Sequence, residues 1–224
     1  MDENSFTRAA SEISMAVALL QKNNINIQLP DGVIKAIDPF VLFDGDDALF
    51  KSLAKDCSTY FEYGCGKSTN WMLENTDAKI QSVDSDLSWV QKVKLNLKAN
   101  DTQRCQVNWV DIGKVGKWGY PLTFEKRENF IQYVTNLWKS LDNPEIVLID
   151  GRFRVACFLA SVMYSQPGTM IIFDDYMERE LYKVAEEFLP IYETCGRQAL
   201  FINSNEGKKL VSEELIEKFS FVFF

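Results

Sequence analysis

From residue 58 onward, short apolar runs alternate with helix-like stretches, and nearly every apolar run stops at an acidic residue. The runs are STYFEY, KIQSVD, CQVNWVD, EIVLID and TMIIFDD. Most carry little polar alternation, so both their faces are buried, which requires helices above and below a parallel sheet. The intervening segments KSTNWMLEN, DLSWVQKVKLNLKAN, NFIQYVTNLWKSL, RFRVACFLASVMYS and ERELYKVAEEFLP supply them. In DLSWVQKVKLNLKAN, for example, Leu87, Val90, Val93 and Leu97 recur on one helical face. In the tail, IYETCG, ALFINS and FSFVFF are candidate strands, with SEELIEKF helical between the last two. A closing antiparallel strand suits ALFINS. The fold class is therefore α/β, with a doubly wound, mostly parallel seven-stranded sheet.

Residues 1–55 read as a separate N-terminal helical cap. Phe6, Ala9, Ala10, Ile13, Val17 and Leu20 recur at three- and four-residue steps, and a turn-rich connector with Pro30 and Gly32 follows. Residues 56–224 form the second, compact unit. The start of the chain is acidic and its apolar stretch is broken by Glu12, so neither a leader nor a membrane span is expected. Five cysteines, an odd number with no C-x-x-C spacing, read as reduced thiols, and a cytoplasmic location is expected.

The chain contains no histidine. That excludes Ser-His-Asp and Cys-His sites, an imidazole base, and histidine-ligated zinc or iron. Acid–base work falls to carboxylates, lysine, tyrosine or cysteine. With 24 basic and 32 acidic side chains the net charge is −8, which argues against a broad nucleic-acid-binding face.

In open sheets of this kind, ligands bind beyond the carboxyl ends of the strands. After the first strand stands Glu62-Tyr63-Gly64-Cys65-Gly66-Lys67-Ser68. Two glycines at a strand-to-helix turn let backbone approach a ligand, beside the free N–H groups of a helix start. Alternatively this is only a tight turn. The second strand ends in Asp84, twenty residues after Gly64, where a carboxylate can accept ribose hydroxyls or cap the next helix. The third ends in Asp111, an acid for an adenine amine or simply a solvated loop residue. The fourth ends in Asp150, followed by Arg152, Phe153 and Arg154; the fifth ends in Asp174-Asp175, followed by Tyr176. Adjacent parallel strands would bring Asp150, Asp174 and Asp175 together. Three converging carboxylates need a cation between them, and an all-oxygen set suits Mg²⁺, Ca²⁺ or Mn²⁺. Helix capping and pairing with Arg152 and Arg154 is the competing account. Tyr182 and Lys183 could approach the same rim, and the loop between Gly113 and Pro121 could act as a lid.

This order of signals over residues 55–205 resembles the class I S-adenosylmethionine-dependent methyltransferases, whose Rossmann-like sheet it shares. The resemblance implies that Glu62, Gly64, Cys65, Gly66 and Ser68 line the cofactor, with Asp84 on its ribose and Asp111 near its adenine. IVLIDG and IIFDDY further resemble metal-dependent O-methyltransferases of the catechol, caffeoyl-coenzyme A and macrolide-sugar types. That implies a Mg or Mn ion on Asp150, Asp174 and Asp175, with Arg152 and Arg154 in the catalytic set. DGRFRVAC is similar to methyltransferase-like proteins, some of them linked to surface-polysaccharide genes. The implied acceptor is a small molecule or glycan, a deoxyhexose such as rhamnose among the candidates. The proton would pass to Asp174, Asp175 or metal-bound water. A metal-independent small-molecule methyltransferase and an inactive cofactor-binding scaffold are the alternatives. The terminal FVFF is a candidate edge for pairing in the sheet or in a homodimer.

Overall fold

The computed structural model describes residues 42–43 and 46–222, and the chain divides into two units, Met1–Asp44 and Gly45–Phe224. The predicted helix over residues 6–22 and the connector after it lie outside the described residues. In the second unit, α1 (Ala48–Ala54) precedes β1 (Thr59–Tyr63), α2 (Lys67–Asn75), β2 (Lys79–Asp84), α3 (Leu87–Asn96) and β3 (Cys105–Trp109). Next come α4 (Phe130–Thr135), β4 (Ile146–Ile149), α5 (Arg154–Tyr164) and β5 (Met170–Phe173). The chain closes with β6 (Ile191–Cys195), β7 (Gln198–Ile202), α6 (Asn205–Leu210) and α7 (Glu213–Phe219).

The seven strands lie in the order β3-β2-β1-β4-β5-β7-β6. β1 to β5 are parallel, and β7 runs antiparallel to both β5 and β6. The reversal follows from local chemistry. β6 and β7 are joined by a tight turn at Gly196, whose φ of +56° suits a residue without a Cβ, so the two strands form a hairpin. ALFINS is thus the antiparallel closing strand, one residue longer at its start than expected.

Three elements differ from the sequence reading. The helix expected over 178–190 is a run of tight 3₁₀ turns over Glu180–Glu187. NFIQYVTNLWKSL is helical only to Thr135 and continues as a 3₁₀ turn over Asn136–Lys139. FSFVFF is not a strand where it is described: Phe219 ends α7 and a turn follows, with Ser220 N–H bonded back to the Ile216 and Glu217 carbonyls. A serine N-cap, Ser212, accepting from the Leu215 N–H at 3.2 Å, starts α7 and carries it through Phe219.

The core is richest where α5 crosses from β4 to β5. Nine of its residues, Arg154 to Val162, are buried. Phe158 packs edge-to-face on Phe201 of β7 with ring centroids 4.9 Å apart, and also contacts Phe173 of β5. This packing fixes the spacing of the β4 and β5 ends, where the candidate residues sit. All five cysteines are unpaired, and four are buried. Among the described residues no helix is long and apolar enough to cross a membrane.

Asn203, buried just beyond β7, ties this region together. Its amide N–H groups serve the Val162, Ser165 and Gln166 carbonyls and the Ser165 hydroxyl, at 2.8–3.3 Å. Its carbonyl oxygen accepts from the Ser204 N–H. Replacement by alanine removes all of these bonds at once, although the Ser165 and Gln166 carbonyls keep Lys208 Nζ and the Thr169 N–H. Asn203→Ala is expected to lower stability by about 1–3 kcal/mol, read as a shifted urea midpoint at an unchanged slope.

Candidate functional site

The turn after β1 is built around two buried anions. Glu62 is fully buried and accepts from Tyr60 Oη and Ser68 Oγ, both at 2.8 Å, and from Thr69 Oγ1 in a shorter contact. Thr69 Oγ1 in turn accepts from the Gly66 N–H at 2.9 Å. Glu62 and Ser68, expected to line a cofactor, are therefore turned inward. They brace the start of α2 instead. A carboxylate can be accommodated there because three hydroxyls replace its hydration. Burial still pushes its pKa up, and these hydrogen bonds oppose the rise.

Asp84, at the end of β2, faces the same turn. One oxygen accepts from the Cys65 N–H at 2.9 Å and the other from the Asp86 N–H at 2.7 Å. An ionised carboxylate offers about four lone-pair sites, so each oxygen keeps one for a ligand. Burial raises the Asp84 pKa to about 6, against the pull of those two N–H groups. Helix capping falls to Asp86, which accepts from the Ser88 N–H at 2.8 Å.

The two glycines of the turn do different jobs. Gly64 has φ +92°, and a Cβ there would lie 2.8 Å from the Gly151 nitrogen, so the backbones after β1 and β4 touch. At Gly66 a Cβ would meet nothing nearer than the Trp89 ring at 4.0 Å. Packing does not demand a glycine at Gly66, so the missing side chain keeps space open against backbone N–H groups and the start of α2. An open cradle beside an acid with spare lone pairs fits the amino-acid and ribose portions of an adenosyl cofactor.

Asp111 is not part of this constellation. Half-buried, it pairs with Lys126 in a close contact and accepts from the Gly113 N–H at 3.0 Å. The Lys126 hydrogen bond, above all, holds its carboxyl below the usual range. The loop expected as a lid is a small hairpin. Val115 pairs with Pro121, and the Gly116 N–H donates to the Tyr120 carbonyl at 2.7 Å. It is pinned over the end of β2, where Ser85 Oγ donates to the Gly119 carbonyl and Trp109 Nε1 to the Ser85 carbonyl.

At the ends of β4 and β5 the sequence expectation needs correcting. Asp150, Asp174 and Asp175 do converge, but arginines lie between them. Arg154 is buried; its Nη2 lies 3.0 Å from Asp150 Oδ1 and 3.2 Å from Asp175 Oδ2, and its Nη1 donates to the Asp174 carbonyl at 2.6 Å. Arg197 forks onto Asp174, with Nη2–Oδ2 2.6 Å and Nε–Oδ1 3.2 Å, and its Nη1 reaches Asp175 at 3.1 Å. Arg179 also contacts Asp175, and Gln198 Nε2 serves the fully buried Asp174. Among the described residues no group of three acids or thiols is arranged to hold a metal ion. The Mg or Mn site read from Asp150, Asp174 and Asp175 is replaced by guanidinium forks, which satisfy carboxylate lone pairs in the direction a metal would use. Asp150 differs from the other two: its side chain is one-third exposed and meets one arginine. Burial pushes its pKa up, Arg154 opposes, and the charges of Asp174 and Asp175 add to the rise.

Two of these arginines escaped the sequence reading. Arg197 follows Gly196 in what looked like a plain hairpin turn, and it reaches Asp174 only because β7 reverses beside β5. Arg179 lies in the linker after β5, four residues from Asp175, a spacing that could have flagged it.

No protein-family model matches the chain, and no curated protein does. Among solved structures, a methyltransferase-like protein from Silicibacter pomeroyi aligns at a TM-score of 0.65 and 29% identity, covering 87% of this chain and 97% of its own. A proposed O-methyltransferase from Klebsiella pneumoniae aligns at 0.49 and 17% identity, over 88% and 99% of the two chains. A methyltransferase from Geobacter sulfurreducens aligns at 0.44 and 12%, over 90% of each.

The buried Arg154 sets a clear expectation. Arg154→Met leaves Asp150 and Asp175 without their shared cation and is expected to cost about 3–5 kcal/mol. Arg154→Lys should recover only part of it, because one ammonium cannot reproduce the fork. Chemical denaturation of the three proteins measures both.

Proposed function

We propose that this chain is an S-adenosylmethionine-dependent methyltransferase that methylates a hydroxyl oxygen of a small acceptor. One observation carries the reading. The Glu62-x-Gly64-x-Gly66 turn, open at Gly66, is bonded through the Cys65 N–H to Asp84 on the neighbouring strand. The sheet order and the 29% identity to a methyltransferase-like protein support it.

In this reading the Gly64–Gly66 backbone and the start of α2 hold the amino-acid part of the cofactor, and Asp84 accepts from its ribose hydroxyls. When bound, the cofactor supplies a methyl group on a positively charged sulfur. The protein must present the acceptor oxygen in line with it, ~3–3.5 Å from the methyl carbon. It must also take the hydroxyl proton. Asp174 is locked by Arg197 and Gln198, and Asp175 is shared among three arginines, so neither base suggested by the sequence suits the task. Asp150 is the better base: its side chain is one-third exposed and it meets a single arginine. A divalent ion forms no part of this proposal, since the oxygens that would ligate it already serve Arg154 and Arg197. A carbohydrate hydroxyl stays the acceptor class that the sequence resemblance favours, with exposed Trp118 as an aromatic face for a sugar ring.

Asp84 gives the reading a pH signature. A ligand diol donates to the ionised carboxylate, so binding favours loss of its proton. Affinity for S-adenosylhomocysteine, measured by calorimetry, should be flat above pH 6 and fall as pH drops through Asp84's pKa, about tenfold per unit below it. Asp84→Asn should weaken binding at pH 7.5 by roughly tenfold to a hundredfold and flatten the profile. No binding to the wild-type chain below millimolar concentration would remove the methyltransferase reading.

A further inference from the structure

Ion pairing at the rim leaves one cation over. Asp150, Asp174 and Asp175 contact Arg154, Arg179 and Arg197, whereas Arg152 makes no ion pair with any described carboxylate. Its Nε is buried and has no hydrogen-bond partner among the described residues. Nε is sealed from solvent, so the two terminal nitrogens, which bond no described residue, are the donors left for a ligand.

The surroundings of Arg152 are built to aim it. Its guanidinium lies over the Tyr120 ring, 4.4 Å from the centroid. Its backbone N–H donates to Tyr133 Oη at 3.2 Å, and a Cβ on the preceding Gly151 would collide with that same oxygen. Phe153, next in the chain, has φ +54°, and Trp118, two residues before Tyr120, has φ +61°. Left-handed backbone is unfavourable at bulky residues and persists where the surroundings impose it. Here both strained residues flank the stacked pair. Tyr182 faces the same place. Burial raises its pKa, while the charges of Arg154, Arg179 and Arg152 pull it down.

We propose that Arg152, held on Tyr120, is the anion-binding residue of the acceptor subsite, so that the acceptor carries a carboxylate. The substrate class rests on the methyl-transfer reading. A guanidinium whose face is covered by an aromatic ring keeps its edge for a planar oxyanion, and a carboxylate accepts its two parallel N–H groups. No strand-end acid competes for it, because Asp84, Asp150, Asp174 and Asp175 make their contacts with other groups and none lies within ion-pair distance of Arg152. The donor's own methionine carboxylate is the other source of the same chemistry, and the test separates the two.

Benzoate and its neutral isostere benzamide are titrated into the full-length chain, with tryptophan fluorescence as the readout. Trp118, exposed beside Tyr120, is the local reporter. Benzoate should bind the wild type at least tenfold more tightly than benzamide. Arg152→Gln should abolish the preference, and Arg152→Lys should keep part of it. S-adenosylhomocysteine affinity should change less than twofold in both variants, and their melting temperatures should match the wild type. Equal binding of the two probes, or a preference that survives Arg152→Gln, overturns the proposal. A tenfold loss of S-adenosylhomocysteine affinity in Arg152→Gln also overturns it and assigns the arginine to the cofactor. If the wild type takes benzoate through Arg152 but no S-adenosylhomocysteine, the anion site stands and the methyl-transfer reading falls.

Discussion

Arg154 holds the rim of the sheet together. Its Nε donates to the Gly151 carbonyl at 3.0 Å, one terminal nitrogen to the Asp174 carbonyl, and the other serves both the backbone and the side chain of Asp150. One planar cation thus fixes the chain direction after β4 and after β5 together. An ion buried this deeply is tolerated only when its donors are met and its charge is matched, and here both conditions hold. The remaining rim geometry depends on it: where Arg152 points, which carboxylate stays accessible, and how closely β4 approaches the β1 turn.

The fold was legible because its strands are almost purely apolar. IVLI and MIIF can be buried on both faces, and that condition alone selects a parallel sheet with helices on either side. The helix-bearing crossovers follow from it, whereas the order of strands is seen only in the structure. The tail was less legible. SFVFF has the composition of a strand, but the N-cap at Ser212 and the helical spacing of Leu215, Ile216 and Phe219 decide that segment. That local hydrogen bond starts the helix that runs to Phe219, and a turn follows at Ser220 and Phe221.

The candidate site was legible in position and misread in chemistry. Of the two accounts the sequence offered for neutralising these acids, arginine pairing is the one seen, through Arg154 together with the unforeseen Arg179 and Arg197. Asp174 and Arg197 are twenty-three residues apart and meet only through the β6–β7 hairpin. Glu62 was misread for a related reason. An acid one residue before a glycine looks available to a ligand, yet the pleat turns it into the helix-bearing face, where Tyr60, Ser68 and Thr69 close around it. Asp84 and Gly66 stand where the sequence puts them, at a strand end and a strand-to-helix turn, because such placement follows from the backbone and needs no partner from a distant segment.

The irregular last strand has a consequence for how molecules of this chain meet. β6 forms one margin of the sheet, and its ladder with β7 slips between Ile191 and Glu193. The slip breaks the even spacing of outward N–H and C=O groups, and Glu193 is exposed at that point. A second strand laid against this margin would find its hydrogen bonds out of step and a carboxylate in the way. The β6 margin is thus a poor template for edge-to-edge pairing, and of the two margins of the sheet only β3, at the other end, carries an unbroken ladder with its neighbour.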